Sequence, residues 1–196
     1  MLIGRVSADD APTLADGFAR MSEESRRLRF LSSKTNLTQA ELRYLTEVDG
    51  HNHEALGAID PETGRGVGIA RYVRDANDPT RAEAAVTVAD EWQRRGVGKL
   101  LLERLTDRAR AEGITHFTAL VSADNAGVKA LVKRLGQPVE ITHIHGGTFL
   151  YEVALGRQGL GGQLEQALRA AATGHFRLPP RLWDALRSLV PLRLSR

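Results

Sequence analysis

The spacing of apolar residues changes along this chain, and each change marks a switch between helix and strand. Residues 2–6 predict a short strand. Residues 11–31 predict a helix, with Asp9 and Asp10 placed to cap it and to complement its positive end. Thr38-Gln-Ala-Glu41 has capping-box spacing and predicts a second helix through about Leu45. The period then falls to two. Residues 55–59, 67–73 and 82–88 are short apolar or alternating runs separated by Pro61-Glu-Thr-Gly64 and Asn77-Asp-Pro79, which predicts an antiparallel meander. From 97 to 109, Val97, Leu100, Leu101, Leu105 and Ala109 return to helical spacing, and Gly113 follows as a stop. A strand over 117–121, a helix over 126–135 ended by Gly136, and a hairpin of 139–144 with 149–154 turning at Gly146-Gly147 complete the pattern.

The order βααβββαβαββ, with one helical crossover between the fourth and fifth strands, predicts an α/β (α+β mixed) domain built on a mixed sheet over residues 1–155. Residues 156–162 hold four glycines and predict a flexible linker. Beyond them, residues 163–196 form a basic tail in which 163–172 and 181–190 predict two short amphipathic helices separated by Pro179-Pro180.

A length of 196 residues fits one domain with appended sequence. No apolar run approaches the roughly 20 residues needed to span a bilayer, and the first ten residues carry no export-signal pattern, so the expectation is a soluble, cytoplasmic protein. The absence of Cys excludes disulfides, thiolate metal sites and cysteine nucleophiles. Net charge is +3, unevenly spread: seven Arg against Glu165 and Asp184 put +5 on residues 157–196 and leave −2 on residues 1–156. A main domain of slight acidity argues against nucleic-acid binding through its own face. Leu182, Leu186 and Leu189 make one stripe in the tail, expected to dock on the main domain or on a second copy of the chain in a homodimer.

The chemically informative segment runs from Val86 to Lys99. A glycine-containing loop between a strand and the N-terminus of a long helix offers backbone N–H groups at the positive end of the helix dipole, and the glycines admit close approach by a phosphate. Arg94, Arg95 and Lys99 add charge. The pattern is neither Gly-x-x-x-x-Gly-Lys-Ser/Thr nor Gly-x-Gly-x-x-Gly, which removes the main support for ATP or dinucleotide binding.

Gln93-Arg-Arg-Gly96-Val-Gly98, after an apolar strand and before Leu100-Leu-Leu102, resembles the pyrophosphate-binding motif of the GNAT superfamily of acyl-CoA-dependent N-acyltransferases. The resemblance covers residues 1–155 and implies a GNAT-like, mostly antiparallel mixed sheet with flanking helices, with acetyl-CoA as co-substrate and no metal. It implies further that backbone groups of Val86, Thr87 and Val88 hold the pantetheine and acyl carbonyl. Gln93, Arg94, Arg95, Gly96, Val97, Gly98 and Lys99 would form the pyrophosphate site, and Asn125 matches the asparagine near the pantetheine arm. Glu24-Ser-Arg-Arg-Leu-Arg-Phe30, Leu45-Thr-Glu-Val-Asp49 and His53-Glu-Ala-Leu56 resemble the catalytic domain of bacterial Pat-type protein lysine acetyltransferases. That resemblance implies acetyl transfer to lysine side chains of proteins such as AMP-forming acyl-CoA synthetases.

A lysine amine with a pKa near 10.4 must lose a proton before it attacks, so a base is required. Glu83, in Arg81-Ala-Glu83-Ala-Ala-Val, matches the glutamate that several protein-acetylating members use. On a regular strand it points opposite to Val86 and Val88, in a setting expected to be apolar because Ala82, Ala84 and Ala85 flank it. The bland alternative is a strand glutamate paired with Arg81 or Arg71. Val132 stands where many members carry the tyrosine that protonates the leaving thiolate, which leaves solvent for that step. Two rival functions remain at this point: acetylation of a small amine, favoured by an acidic acceptor pocket, and a non-catalytic acyl-CoA-binding module. His51-Asn-His53 and His143-Ile-His145 each read as two imidazoles on one strand face with no third metal ligand of clear pattern.

Overall fold

A computed structural model of the chain describes residues 1–135 and 137–156. The expected tail at 163–196, the linker beyond Gly156 and the helix stop at Gly136 lie outside the described residues.

Seven strands form one sheet in the order β1-β2-β3-β4-β5-β7-β6. β1 (Leu2–Arg5) pairs with β2 (His53–Ile59), β2 with β3 (Gly66–Arg74) and β3 with β4 (Arg81–Val88), all antiparallel as the meander predicted. β5 (His116–Ser122) lies parallel to β4, and β7 (Thr148–Ala154) inserts antiparallel between β5 and β6 (Val139–His145). The hairpin joining the last two strands turns at Gly146 and Gly147, with φ of 56° and 75°.

Helix α4 (Val97–Ala111) crosses one face of the sheet. Its stripe of Val97, Leu101, Leu105 and Ala109 packs against Val67, Ala70, Tyr72, Ala82 and Phe117, and Leu101, Leu105 and Tyr72 are fully buried. Burial of this stripe, rather than helix propensity, is what fixes α4 on the sheet. Glu54 is buried with it, held by Arg5 at 2.9 Å and Arg108 at 3.0 Å, so its charge is compensated on both sides.

The other face is covered by α1 (Ala11–Arg20), α2 (Glu23–Phe30) and α3 (Gln39–Thr46). The single helix expected over 11–31 is thus two. Met21 is extended, and the Ser22 hydroxyl accepts the Ser25 N–H to start α2 afresh, so a polar cap interrupts an apolar pattern that continues across the break. Asp10 caps differently from expectation: its carboxylate accepts the Ser7 N–H at 2.8 Å and closes a single 3-10 turn before α1. The predicted Thr38–Glu41 capping box is present at the start of α3. α5 (Ala126–Leu135) follows β5.

Neither histidine pair lies as the strand periodicity suggested. His51 precedes β2 and contacts Glu112, while only His53 is in the strand. A register irregularity between His143 and His145 breaks the alternation of β6.

Candidate active site

β4 and β5 pair only over three positions, Arg81 with His116, Ala82 with Phe117 and Glu83 with Thr118. Beyond Glu83 the two strands separate while β4 stays paired to β3 as far as Val88. The edge of β4 from Ala84 to Val88 therefore faces an opening, and Val86, Thr87 and Val88 lie along it. Val86 and Val88 lean on the α4 core, whereas Thr87 points to the opposite face.

At the far end of this opening the chain makes a 3-10 turn over Asp90–Trp92 and passes through Arg94 and Gly96, with φ of 60° and 86°. Gly96 sits at the N-cap position of α4, and no side chain caps the helix, so the N–H groups of its first turn keep their capacity for an anion. Glycine suits that position because φ of 86° lies in the left-handed region. Arg95 stacks on Trp92 with its guanidinium 5.3 Å from the ring centroid, and Lys99 pairs with Glu103 at 2.6 Å. Gln93 is engaged elsewhere: its amide donates to Val88 O, Asp90 and Ser25.

Asn125 is buried at the start of α5, where its Oδ1 accepts the Val128 N–H at 3.0 Å. Helix α2 ties the two sides of the opening together. The Asp90 carboxylate accepts the Ser22 N–H at 2.7 Å and the Ser22 and Ser25 hydroxyls, while Arg27 reaches Asp124 at 2.6 Å and Glu24 at 2.8 Å. Burial pushes Asp90 up, but the hydrogen bonds from Ser25, Ser22 and Gln93 outweigh it and hold the carboxylate below its usual range.

Glu83 lies at the root of the opening and lines a cavity of about 490 Å³ between the sheet and helices α2 and α3. It points away from Val86 and Val88, as alternation predicted. The alanine-lined setting expected for it is found only in part, because Ala85 lines the same cavity while Ala82 and Ala84 belong to the α4 side of the sheet. Its carboxylate is exposed and looks into a cavity that also takes in Arg29, Arg71, Tyr44 and Thr118. Neither Arg81 nor Arg71 forms an ion pair with it; Arg81 is bound to Asp78 at 3.2 Å and Glu152 at 2.6 Å.

Sequence reasoning gave no role to Arg29 or Tyr44, weighed Arg71 only as an ion-pair partner of Glu83, and read His53 only as half of a histidine pair. Arg71 occupies the middle of an otherwise apolar strand, between Ala55 and Ala85 on the neighbouring strands, and a charge placed so was the available signal. Its guanidinium lies 4.6 Å from the Tyr44 ring centroid, and Tyr44 in turn lies 5.3 Å from His53. Burial, with the Arg71 charge added, pushes His53 down to about 4.

A model of the acetyltransferase (GNAT) family matches residues 20–137. The chain is 35% identical over 127 residues to acetyltransferase Pat of Mycolicibacterium smegmatis, a match covering 65% of this chain and 38% of that protein. It is 34% identical over 119 residues to acetyltransferase PA5475 of Pseudomonas aeruginosa, covering 60% of this chain and 63% of that protein. The chain thus spans less than two thirds of the length of either relative. Among solved structures, the GNAT domain of S. lividans PAT is similar at a TM-score of 0.72 and 26% identity, over 78% of this chain and 89% of that one. The fold is shared by yncA of Salmonella typhimurium, a putative acetyltransferase solved with its cofactor acetyl-CoA, at a TM-score of 0.62 and 19% identity, over 78% and 91% of the two chains.

Proposed function

Since the chain belongs to the acetyltransferase (GNAT) family, we propose that it transfers acetyl from acetyl-CoA to an amine, a lysine ε-amine of a protein, with Glu83 as general base. The observation that carries this reading is the position of the Glu83 carboxylate. It stands unpaired among the described residues at the point where β4 and β5 part, between a cavity on one side and the open edge of β4 on the other.

The residues along the opening suit the co-substrate. The uncapped first turn of α4, the left-handed Gly96 and the cations Arg94 and Arg95 match a pyrophosphate in charge and in hydrogen-bonding capacity. Backbone groups of Val86, Thr87 and Val88 supply a strand edge to amide-bearing pantetheine, and Asn125 stands across from them at the head of α5. Acetyl-CoA supplies an activated thioester carbonyl.

An acceptor amine arrives protonated at neutral pH, and Glu83 takes its proton directly or through one water. The freed lone pair attacks the carbonyl carbon, the nitrogen, now positively charged, gives its second proton to solvent, the C–S bond breaks, and CoA leaves as the thiolate. Strand-edge N–H groups of β4 hold the charge that develops on the carbonyl oxygen. Val132, at the position where a tyrosine would reach the sulfur, carries no proton, so solvent protonates the thiolate. Proteins such as AMP-forming acyl-CoA synthetases are the proposed substrates, by likeness to the Pat-type catalytic domain.

The acceptor cavity is lined by Arg29, Arg71 and Arg74 as well as by Glu41, Asp75 and Glu83, a balance of charge rather than the acidic excess that suits a polyamine, which favours this reading over a small polycationic acceptor. Incubation with acetyl-CoA and cell lysate, followed by mass-spectrometric detection of acetyl-lysine, tests the reading. Glu83→Gln should lower kcat by on the order of 10²–10⁴ with CoA affinity nearly unchanged. CoA binding without turnover on any lysate protein or amine would replace it with the non-catalytic binding module.

A further inference from the structure

The 490 Å³ cavity beside Glu83 is lined by two guanidinium groups that form no ion pair among the described residues. Arg71 is 8% exposed, and no described residue gives it a hydrogen bond or an ion pair; its contact is with the face of Tyr44. Arg29, from α2, likewise lacks a carboxylate partner among the described residues and lies over Phe30 with its guanidinium 4.9 Å from the ring centroid. Desolvation, and next the Arg71 charge, push Arg29 down to about 10, with Glu83 opposing.

The other charged groups around the cavity have hydrogen-bond partners, although the Nε of Arg74 is buried without one. Glu41 is bound by Lys34 at 2.6 Å and by the Thr38 N–H at 2.8 Å. Asp75 accepts the Asn77 N–H at 2.7 Å, and Arg74 donates to Glu112 O at 2.9 Å. Two guanidinium groups therefore line the same cavity as Glu83, a carboxylate with no hydrogen bond or ion pair among the described residues, which the proposed reaction needs as a base. Arg71 is buried and Arg29 half-buried, desolvation of a guanidinium without a hydrogen-bond partner is costly, and its planar fork matches a carboxylate.

We infer that the acceptor carries a carboxylate as well as the amine, and that Arg29 and Arg71 receive the carboxylate while the amine lies at Glu83. This inference rests on the proposed acetyl transfer. The register sets the spacing. Arg71 pairs with Ala85, two residues along β4 from Glu83, so the two side chains start from diagonal positions about 7–8 Å apart. A chain of five methylenes between amine and carboxylate spans a comparable length, and Phe30, Leu45 and Val73 offer it apolar walls. The carboxylate belongs either to the amine-bearing molecule itself or to an acidic residue next to an acceptor lysine.

The test compares matched acceptors on the full chain: 6-aminohexanoate with hexylamine, and the peptide acetyl-Lys-Glu-amide with acetyl-Lys-Gln-amide. The acid of one pair should be preferred by about 10–100-fold in kcat/KM, and the pair that shows the preference identifies the source of the carboxylate. The ratio should collapse towards one in Arg71→Gln and in Arg29→Gln, with Arg71→Lys intermediate. Arg29→Gln serves if Arg71→Gln does not fold, and the wild-type ratio needs no variant. Calorimetric titration of 6-acetamidohexanoate against N-hexylacetamide in the presence of CoA gives a readout independent of turnover. Equal acetylation within both pairs would overturn the inference and keep the acetyltransferase reading. Selective binding of the acidic analogue with no turnover would keep the carboxylate site and overturn that reading. Neither turnover nor binding would overturn both.

Discussion

Replacing Gly98 by glutamate should leave the fold intact while removing much of the CoA affinity, two effects that separate a ligand contact from a structural one. Gly98 is the second residue of α4. A Cβ built on it would lie 3.4 Å from Val88, 3.6 Å from Leu131 and 3.9 Å from Val86, all ordinary contact distances. The side chain would leave the helix between β4 and α5, past Val88 and Leu131, at the far end of the opening. For stability, a helix gains about 0.5 kcal/mol when glycine is replaced by a better helix former, and an acid in the first turn gains about 0.3–1 kcal/mol from the helix dipole. For binding, a carboxylate about 5 Å from a pyrophosphate charge at an effective dielectric near 20 opposes it by about 3 kcal/mol, roughly 100-fold in Kd. Gly98→Ala, with room for its methyl and no charge, should keep both stability and affinity. Gly96→Ala should do the reverse of Gly98→Glu on stability: no atom lies within 4 Å of its Cβ, yet φ of 86° strains any L side chain by about 1–2 kcal/mol. Urea denaturation and CoA titration of the three variants give the comparison. A folded Gly98→Glu protein with wild-type CoA affinity would refute a pyrophosphate site at the start of α4.

Two further predictions concern α2, α3 and the cavity. Between pH 6.5 and 4 the unfolded chain protonates His53 while the folded chain, with that imidazole at about 4, does not, so stability should fall as pH drops through this window. Partial exposure of the ring reduces the full linkage to about 1–2 kcal/mol, and His53→Leu should flatten the pH dependence in urea melts; an unchanged slope would exclude His53 as its source. Asp90→Ala removes the acceptor for Ser22, Ser25 and Gln93 and should cost about 1 kcal/mol while raising the KM for acetyl-CoA; CoA kinetics equal to wild type would show that the α2 tether does not shape the loop.

Features that depend on neighbours in sequence were legible before the structure. The α4 stripe, the Thr38–Glu41 box, the Gly146-Gly147 turn and the meander each follow from local periodicity or turn chemistry, and each is present. The break at Met21 was not legible from periodicity, since Leu14, Phe18 and Met21 continue the helical spacing while the Ser22 cap ends it. Insertion of β7 between β5 and β6 depends on pairing between distant segments, which alternation alone does not order. At the site, the loop could be singled out by its glycine motif, and Glu83 by its resemblance to the glutamate that several protein-acetylating members use. Arg29 and Arg71 could not be paired from sequence: one lies on a helix and the other on a strand, 42 positions apart, and only their packing around one cavity joins them.

The short parallel contact between β4 and β5 explains why these groups converge. Antiparallel pairing to β3 satisfies β4 on one side along its whole length, so its other edge can open after Glu83 without the strand losing its place in the sheet. β5 is held in the same way by β7, over all seven of its residues. The opening is therefore framed by two strands that are each fixed from outside. Its floor is the α4 core, its far end is the uncapped N-terminus of α4, and α2 spans the mouth through Asp90 on one side and Asp124 on the other. Glu83 stands at the last paired position and lines the cavity; on the proposed reading, the cofactor's thioester and the acceptor amine meet there. Lengthening the parallel pairing by three residues would close the β4 edge as far as Val86 and, on the proposed reading, separate the carboxylate from the reacting carbonyl. On the proposed reading, the termination of that ladder at Glu83 matters as much to activity as the identity of the residue.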